Sequence, residues 1–229
     1  SPDYSPDPHR RIFNYRLDEK MFIAGGATNN GLVLINWFEK LMGRAETTFA
    51  DFTASAMTSV PGAAGLVFLP FVFGERAPYH NPDMRGVFFG LAQHHTRADM
   101  QRALVEGIFF ELRTILQCVE EVTRPMNIIL ASGGFTRSDA WLQLLANVMN
   151  KTVGLRDTND ASALGAAHMG FTAMGIPFQF TRQQNQKEFH PEPEYRQLYD
   201  DLFGVFVRST NALLPEFANV VRTQKSNSR

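Results

Sequence analysis

Apolar residues recur along this chain in two rhythms, and the change of rhythm marks its elements. Ile12–Leu17 and Met21–Ala24 are short β-favouring runs joined by Asp18-Glu19-Lys20, which predicts a hairpin. The turn-rich stretch Gly25-Gly26-Ala27-Thr28-Asn29-Asn30-Gly31 follows. A helix is predicted over Leu32–Met42, with Val33, Leu34, Trp37, Phe38 and Leu41 on its apolar side. Phe49–Val60 predicts a second helix, broken by Pro61-Gly62. Leu66–Leu69 and Val87–Leu91 read as strands on either side of the Pro-, Gly- and charge-rich loop Pro70–Arg85. Thr96 and Asp99 have capping-box spacing and open a helix expected to run to Thr123.

The second half repeats the alternation. Ile128–Ala131 suits a buried strand and stops at Gly133-Gly134. Ser138 and Asp139 then start a helix in which Trp141, Leu144, Leu145 and Val148 recur at helical spacing. Thr152–Leu155 is a strand, Ser162–Met174 a helix of small residues ended by Gly175, and Pro177–Pro193 irregular. Tyr195–Arg222 is helical with an interruption near Pro215. Residues 1–10 read as a linker, 11–222 as the domain and 223–229 as a disordered polar tail. A hairpin followed by alternating strands and helices predicts an α/β domain with a mixed sheet.

Composition narrows the class. With 44% hydrophobic residues and 20 Phe, the chain can build a large aromatic core. A net charge of −1 argues against a nucleic-acid surface. No apolar run reaches membrane-spanning length, and the first residues lack the apolar core of a signal peptide, so a cytoplasmic location is expected. The lone Cys118 excludes an intrachain disulfide and falls among helical apolar residues, where a small core residue is expected. Ser1 in place of Met, and the Pro-rich opening, predict a fragment.

Three segments carry candidate chemistry. The first is the glycine pair. A strand, a glycine turn and a helix N-terminus make a common nucleotide-contact geometry. The P-loop pattern and the spaced Rossmann glycines are absent, and Asp139 puts negative charge in the first helical turn. The turn therefore suits an adenine or ribose better than a phosphate, unless it is a plain strand–helix connection. The second segment is Gly25–Gly31, where Asn29 or Asn30 is expected to cap the next helix. The third is Phe73–Gly86, whose Glu75–Arg76 and Asp83–Arg85 are expected to form ion pairs that hold the loop. The pair His94-His95 reads as an exposed turn, with no partners at metal-ligand spacing.

Taken together, these segments resemble the C-terminal domain of the FGGY family of carbohydrate kinases. The resemblance rests on Gly86-Val-Phe-Phe-Gly-Leu91 with Asp99-Met100-x-x-Ala103-Leu104-Val105-Glu106, which follow the family's second signature except at Leu104. The Gly-Glu-Arg-Ala-Pro loop, the Ser-Gly-Gly turn and Ala161–Ala167 fall in the family's order. Arg11–Asp18 followed by Gly25–Gly31 looks most like the gluconokinase branch, which carries a further Gly where Leu32 stands here.

The resemblance implies an actin-like, ribonuclease H-like ATPase domain with a mixed sheet flanked by helices, lacking its first strand or strands. It implies ATP as cofactor: Gly134 and Ser138 match adenosine-contacting positions, Gly133 adjoins them, and Asn36 and Gly31 lie on the nucleotide side. It implies Mg2+ with ligands outside this chain, and a catalytic aspartate and phosphate loop upstream, so no catalytic residue is assigned here. The expected substrate is a sugar or sugar acid, gluconate first and xylulose, glycerol or a related polyol otherwise, bound through an N-terminal domain. Two rivals remain. A non-catalytic association module would form homo-oligomers through the edge of Ile12–Leu17. A dinucleotide domain would use Asp157 as its ribose acid.

Overall fold

A computed structural model describes residues 6–19, 21–155, 161–177 and 187–227. The hairpin forms as β1 (Phe13–Arg16) and β2 (Phe22–Gly25), antiparallel with Phe13 opposite Gly25. Helices α1 (Val33–Leu41) and α2 (Phe49–Ala56) follow. Strands β3 (Val67–Leu69) and β4 (Val87–Phe89) pair antiparallel across the long loop. Helix α3 (Arg97–Val122) begins with the expected box: Thr96 N donates to Asp99 Oδ2 at 2.7 Å and Asp99 N to Thr96 Oγ1 at 3.3 Å.

The mixed sheet is β5 (Ile128–Ala131), β6 (Thr152–Leu155) and β7 (Lys187–Phe189), parallel between the first two and antiparallel between the last two. Helix α4 (Asp139–Met149) links β5 to β6, α5 (Ala161–Ala173) follows β6, and α6 (Arg196–Asn227) closes the chain.

The core lies where α3 crosses β3 and α6. Gly107 permits the closest approach: a Cβ there would be driven into the carbonyl oxygen of Phe68. Phe110 then meets Tyr199, Phe203 and Phe206 of α6 at ring separations of 6.4, 6.0 and 5.6 Å. Offset and edge contacts of this kind hold aromatic cores together, so the high Phe content is spent here. Cys118 is buried in α3, and burial pushes its thiol up.

Three expectations are corrected. β7 lies within the stretch read as irregular; it forms because the backbone of Lys187–Phe189 completes the open side of β6. Helix α6 runs without a break through Pro215. Its apolar face, including Phe217 and Val221, stays buried beyond the proline, and that packing outweighs one lost backbone bond. The helix also continues past Arg222 to Asn227, into the stretch read as a disordered tail. Among the described residues, no helix is long and apolar enough to cross a membrane.

Candidate functional site

Strand β5 ends at the buried Ala131, and the chain turns at Gly133, with φ 101° and ψ −176°. That conformation is open to glycine and closed to residues with a Cβ. Residues Gly134–Arg137 form one 3-10 turn, closed by Thr136 Oγ1 donating to Gly133 O at 2.7 Å. Ser138 then caps α4 by accepting from Trp141 N at 3.4 Å, which leaves its O–H to donate elsewhere. Asp139 is exposed and forms an ion pair with Lys187, so the α4 N-terminus carries no net negative charge.

Opposite this turn stands the start of α1. A Cβ on Gly134 would lie 3.7 Å from Leu32 Cδ1, so the Leu32 side chain reaches across to the glycine turn. Around Gly31 and Gly133 the space a Cβ would occupy is open. Asn36 is exposed one helical turn beyond Leu32 and on the same face. Leu32 thus brings the start of α1 against the glycine turn; Gly31 adjoins Leu32 in the chain, and Gly133 and Ser138 lie either side of Gly134 in the turn.

The other sequence-predicted contacts rearrange. Asn30 does not cap α1; the residue before that helix is Leu32, and no side chain caps it. Asn30 is fully buried and donates instead to Gly74 O at 2.7 Å and Glu75 Oε2 at 2.8 Å. Glu75 does not pair with the Arg76 side chain. Its carboxylate accepts from Thr28 Oγ1 at 2.8 Å, Asn29 N at 3.2 Å and Arg76 N at 2.7 Å. Arg85 does not pair with Asp83; it donates to Pro82 O at 3.1 Å, Met84 O at 2.8 Å and Gln224 Oε1 at 3.1 Å. At Glu75 the buried Asn30 amide and nearby backbone amides had a stronger claim on the charge than an ion partner, because a buried polar group left unpaired is costly.

Thr28 and Glu75 were not singled out from the sequence as a contact. The available signal was a carboxylate inside an otherwise turn-forming loop. His94 is exposed and His95 half-buried, with rings 4.2 Å apart, and His95 Nδ1 accepts from Ala92 N at 2.9 Å. Among the described residues no group of three His, Cys, Asp or Glu side chains is placed to hold a metal ion. Asp157 lies outside the described residues, as does the stretch 178–186.

The fold is that of the actin-like, ribonuclease H-like domains of carbohydrate kinases. Residues 1–174 match the model of the C-terminal domain of the FGGY family of carbohydrate kinases, and the chain belongs to that family. It is 33% identical over 234 residues to a gluconokinase of Bacillus licheniformis, a match covering 96% of this chain and 46% of the relative. A ligand-bound xylulose kinase from Lactobacillus acidophilus superposes with a TM-score of 0.88 at 31% identity, covering 96% of this chain and 45% of that one. A gluconate kinase from the same organism superposes with a TM-score of 0.86 at 32% identity, covering 93% and 44%. The chain therefore spans about half the length of the relatives it matches.

Proposed function

We propose that this chain is the nucleotide-binding half of an ATP-dependent carbohydrate kinase, with the adenosine of ATP lying between Gly31–Asn36 and Gly133–Ser138. One observation carries the reading. The glycine turn and the start of α1 face each other through Leu32 and Gly134, with open space at Gly31 and Gly133. The base lies flat against glycine backbone, Leu32 supplies an apolar wall, and the Ser138 hydroxyl and Asn36 amide are the polar groups available to the sugar or the base edge. The phosphates extend away from this surface, because the turn has neither the glycine spacing nor the Lys-Ser or Lys-Thr pair of a phosphate-cradling loop, and Lys187 is engaged by Asp139. When bound, ATP supplies the transferable phosphoryl group, and Mg2+, held by groups outside this chain, neutralises its charge.

The substrate we propose is gluconate. What supports it is the likeness to gluconokinases and the hairpin-plus-turn sequence from Arg11 to Gly31. Xylulose is the second reading, supported by the xylulose kinase that superposes on the chain. Turnover by the natural gene product with gluconate, xylulose and glycerol as separate acceptors tests the choice. A tenfold or greater preference in kcat/KM for gluconate is expected, and a preference for xylulose overturns it.

The 229-residue chain alone is expected to release no gluconate-dependent ADP. The acidic groups near the surface are already committed: Asp139 to Lys187 and Glu75 to its four donors. Neither is free to take a proton from a sugar hydroxyl. Tight binding of NAD without binding of ATP would replace this reading with a dinucleotide domain.

A further inference from the structure

The turn Gly25–Gly31 and the loop that follows β3 are tied together by a buried polar knot. Asn30 is 0% exposed and Glu75 3% exposed. Three of the four hydrogen-bonding positions of the Asn30 amide are used. Nδ2 donates to Gly74 O and to Glu75 Oε2, and Oδ1 accepts from Phe73 N at 3.1 Å. The Glu75 carboxylate gathers four donors: the Thr28 hydroxyl, the Asn29 and Arg76 backbone amides and the Asn30 amide. Asn30 N donates in turn to Thr28 Oγ1 at 3.0 Å, and Ala77 N donates to Ala27 O at 3.1 Å. Residues about 45 positions apart in sequence are thereby fixed in one register.

What this knot holds is the start of α1. That helix has no side-chain N-cap of its own, and the space at Gly31 is open. Its local sequence does little to define where its first turn sits. A buried carboxylate and a buried amide, each held by several hydrogen bonds, define it from outside, because any slip leaves a buried polar group unpaired. We propose that Glu75 and Asn30 are positioning residues for the nucleotide: they set the α1 N-terminus at the depth at which Leu32 meets Gly134 and Gly31 and Asn36 face the glycine turn. This inference rests on the nucleotide reading above. The two residues touch no ligand; they act through α1.

The test is titration of the full 229-residue chain with Mg·ADP, followed by tryptophan fluorescence, Trp37 being on α1. Glu75→Gln replaces an acceptor with a donor facing Asn30, and Asn30→Asp sets a second carboxylate against Glu75. Each is expected to weaken ADP binding about tenfold or more, equivalent to about 1.4 kcal/mol. In the Asn30→Asp/Glu75→Gln double variant the new amide donates to the new carboxylate while Gly74 O stays without its donor, so partial recovery, to tighter binding than either single variant, is expected. A general loss of stability does not produce such cross-rescue, because two destabilising changes would add. If Glu75→Gln does not fold, Thr28→Val removes one donor from the carboxylate, and a twofold or greater weakening is expected.

If the unaltered chain binds ADP and the single variants bind it equally well, or the double variant binds no tighter than the better single, the positioning role is overturned and the nucleotide reading stands. If the unaltered chain binds no ADP, the nucleotide reading fails and takes this inference with it.

Discussion

Gly107 on α3 lies so close to Phe68 on β3 that no side chain fits between helix and strand. Phe68 is itself buried and its ring packs 4.4 Å from that of Phe88 on β4, so the strand cannot retreat. Gly107→Ala forces backbone apart in the centre of the core, and a loss of about 3 kcal/mol or more is expected. Urea unfolding followed by circular dichroism reads it as a fall in midpoint. An unchanged midpoint would mean that α3 and β3 can separate freely.

A second test concerns the buried charge pair of the same helix. Arg102 Nε donates to Glu106 Oε1 at 2.8 Å, and that oxygen also accepts from Gly62 N at 3.0 Å and Tyr199 Oη at 3.0 Å. Burial pushes the Glu106 carboxyl up while these donors hold it down. Arg102→Met strands the acid, and a cost of about 3 kcal/mol is expected. Glu106→Gln keeps an oxygen for Gly62 and Tyr199 and is expected to cost less. Equal losses in urea unfolding would contradict the view that the stranded charge dominates.

Glu111 sets the pH dependence. It is fully buried on α3, neither carboxyl oxygen has a hydrogen-bond partner among the described residues, and burial, with Glu75 nearby, raises its pKa well above the usual 4.5. The folded chain therefore holds a proton that the unfolded chain gives up. The sign follows: this contribution to stability is complete below about pH 4.5 and is lost as pH rises toward the folded value. Between pH 5 and pH 8 the native chain is expected to weaken relative to Glu111→Gln, by at most about 1.4 kcal/mol per pH unit. Parallel urea midpoints for the two proteins across that range would contradict it. Asp7, whose pKa the Arg11 side chain lowers to about 2, acts in the opposite sense and in a separate, more acidic window.

The glycine turn makes two different demands. Gly133 needs φ 101°, so Gly133→Ala is expected to strain the turn by about 1–3 kcal/mol and to weaken ADP binding. Gly134 faces Leu32 across ordinary contact distance, so Gly134→Ala is expected to leave the urea midpoint within about 0.5 kcal/mol. It should still weaken ADP binding by narrowing the surface. Loss of stability at Gly134 with binding intact would reverse these roles.

Local chemistry was well written in the sequence. The Thr96–Asp99 box, the Ile128–Ala131 strand and the Ser138 cap are each specified by neighbours a few residues apart, and each formed; the strand was expected to be buried, yet Ile128 and Leu130 are exposed and Ala131 alone of its four residues is buried. Long-range polar pairing was not. Glu75 looked like a partner for Arg76, and Asn30 like a cap, because nothing in the spacing of either announces a contact about 45 residues away. β7 was missed for a related reason: Lys187-Glu188-Phe189 has no strand rhythm and pairs through its backbone. Pro215 was misread because a proline rule is local, whereas the buried face of α6 is a property of the whole core. At the site, the glycines were legible as turns, and their facing of α1 through Leu32 emerged only in three dimensions.

Where an adenosine group binds on this domain decides its role. Amide chemical-shift mapping of the isotopically labelled chain, titrated with ADP, tests it directly. Shifts concentrated in Gly31–Trp37 and Gly133–Asp139, saturating together with one dissociation constant, are the predicted result. Saturable shifts centred elsewhere in the fold, or none in these two segments, would contradict it.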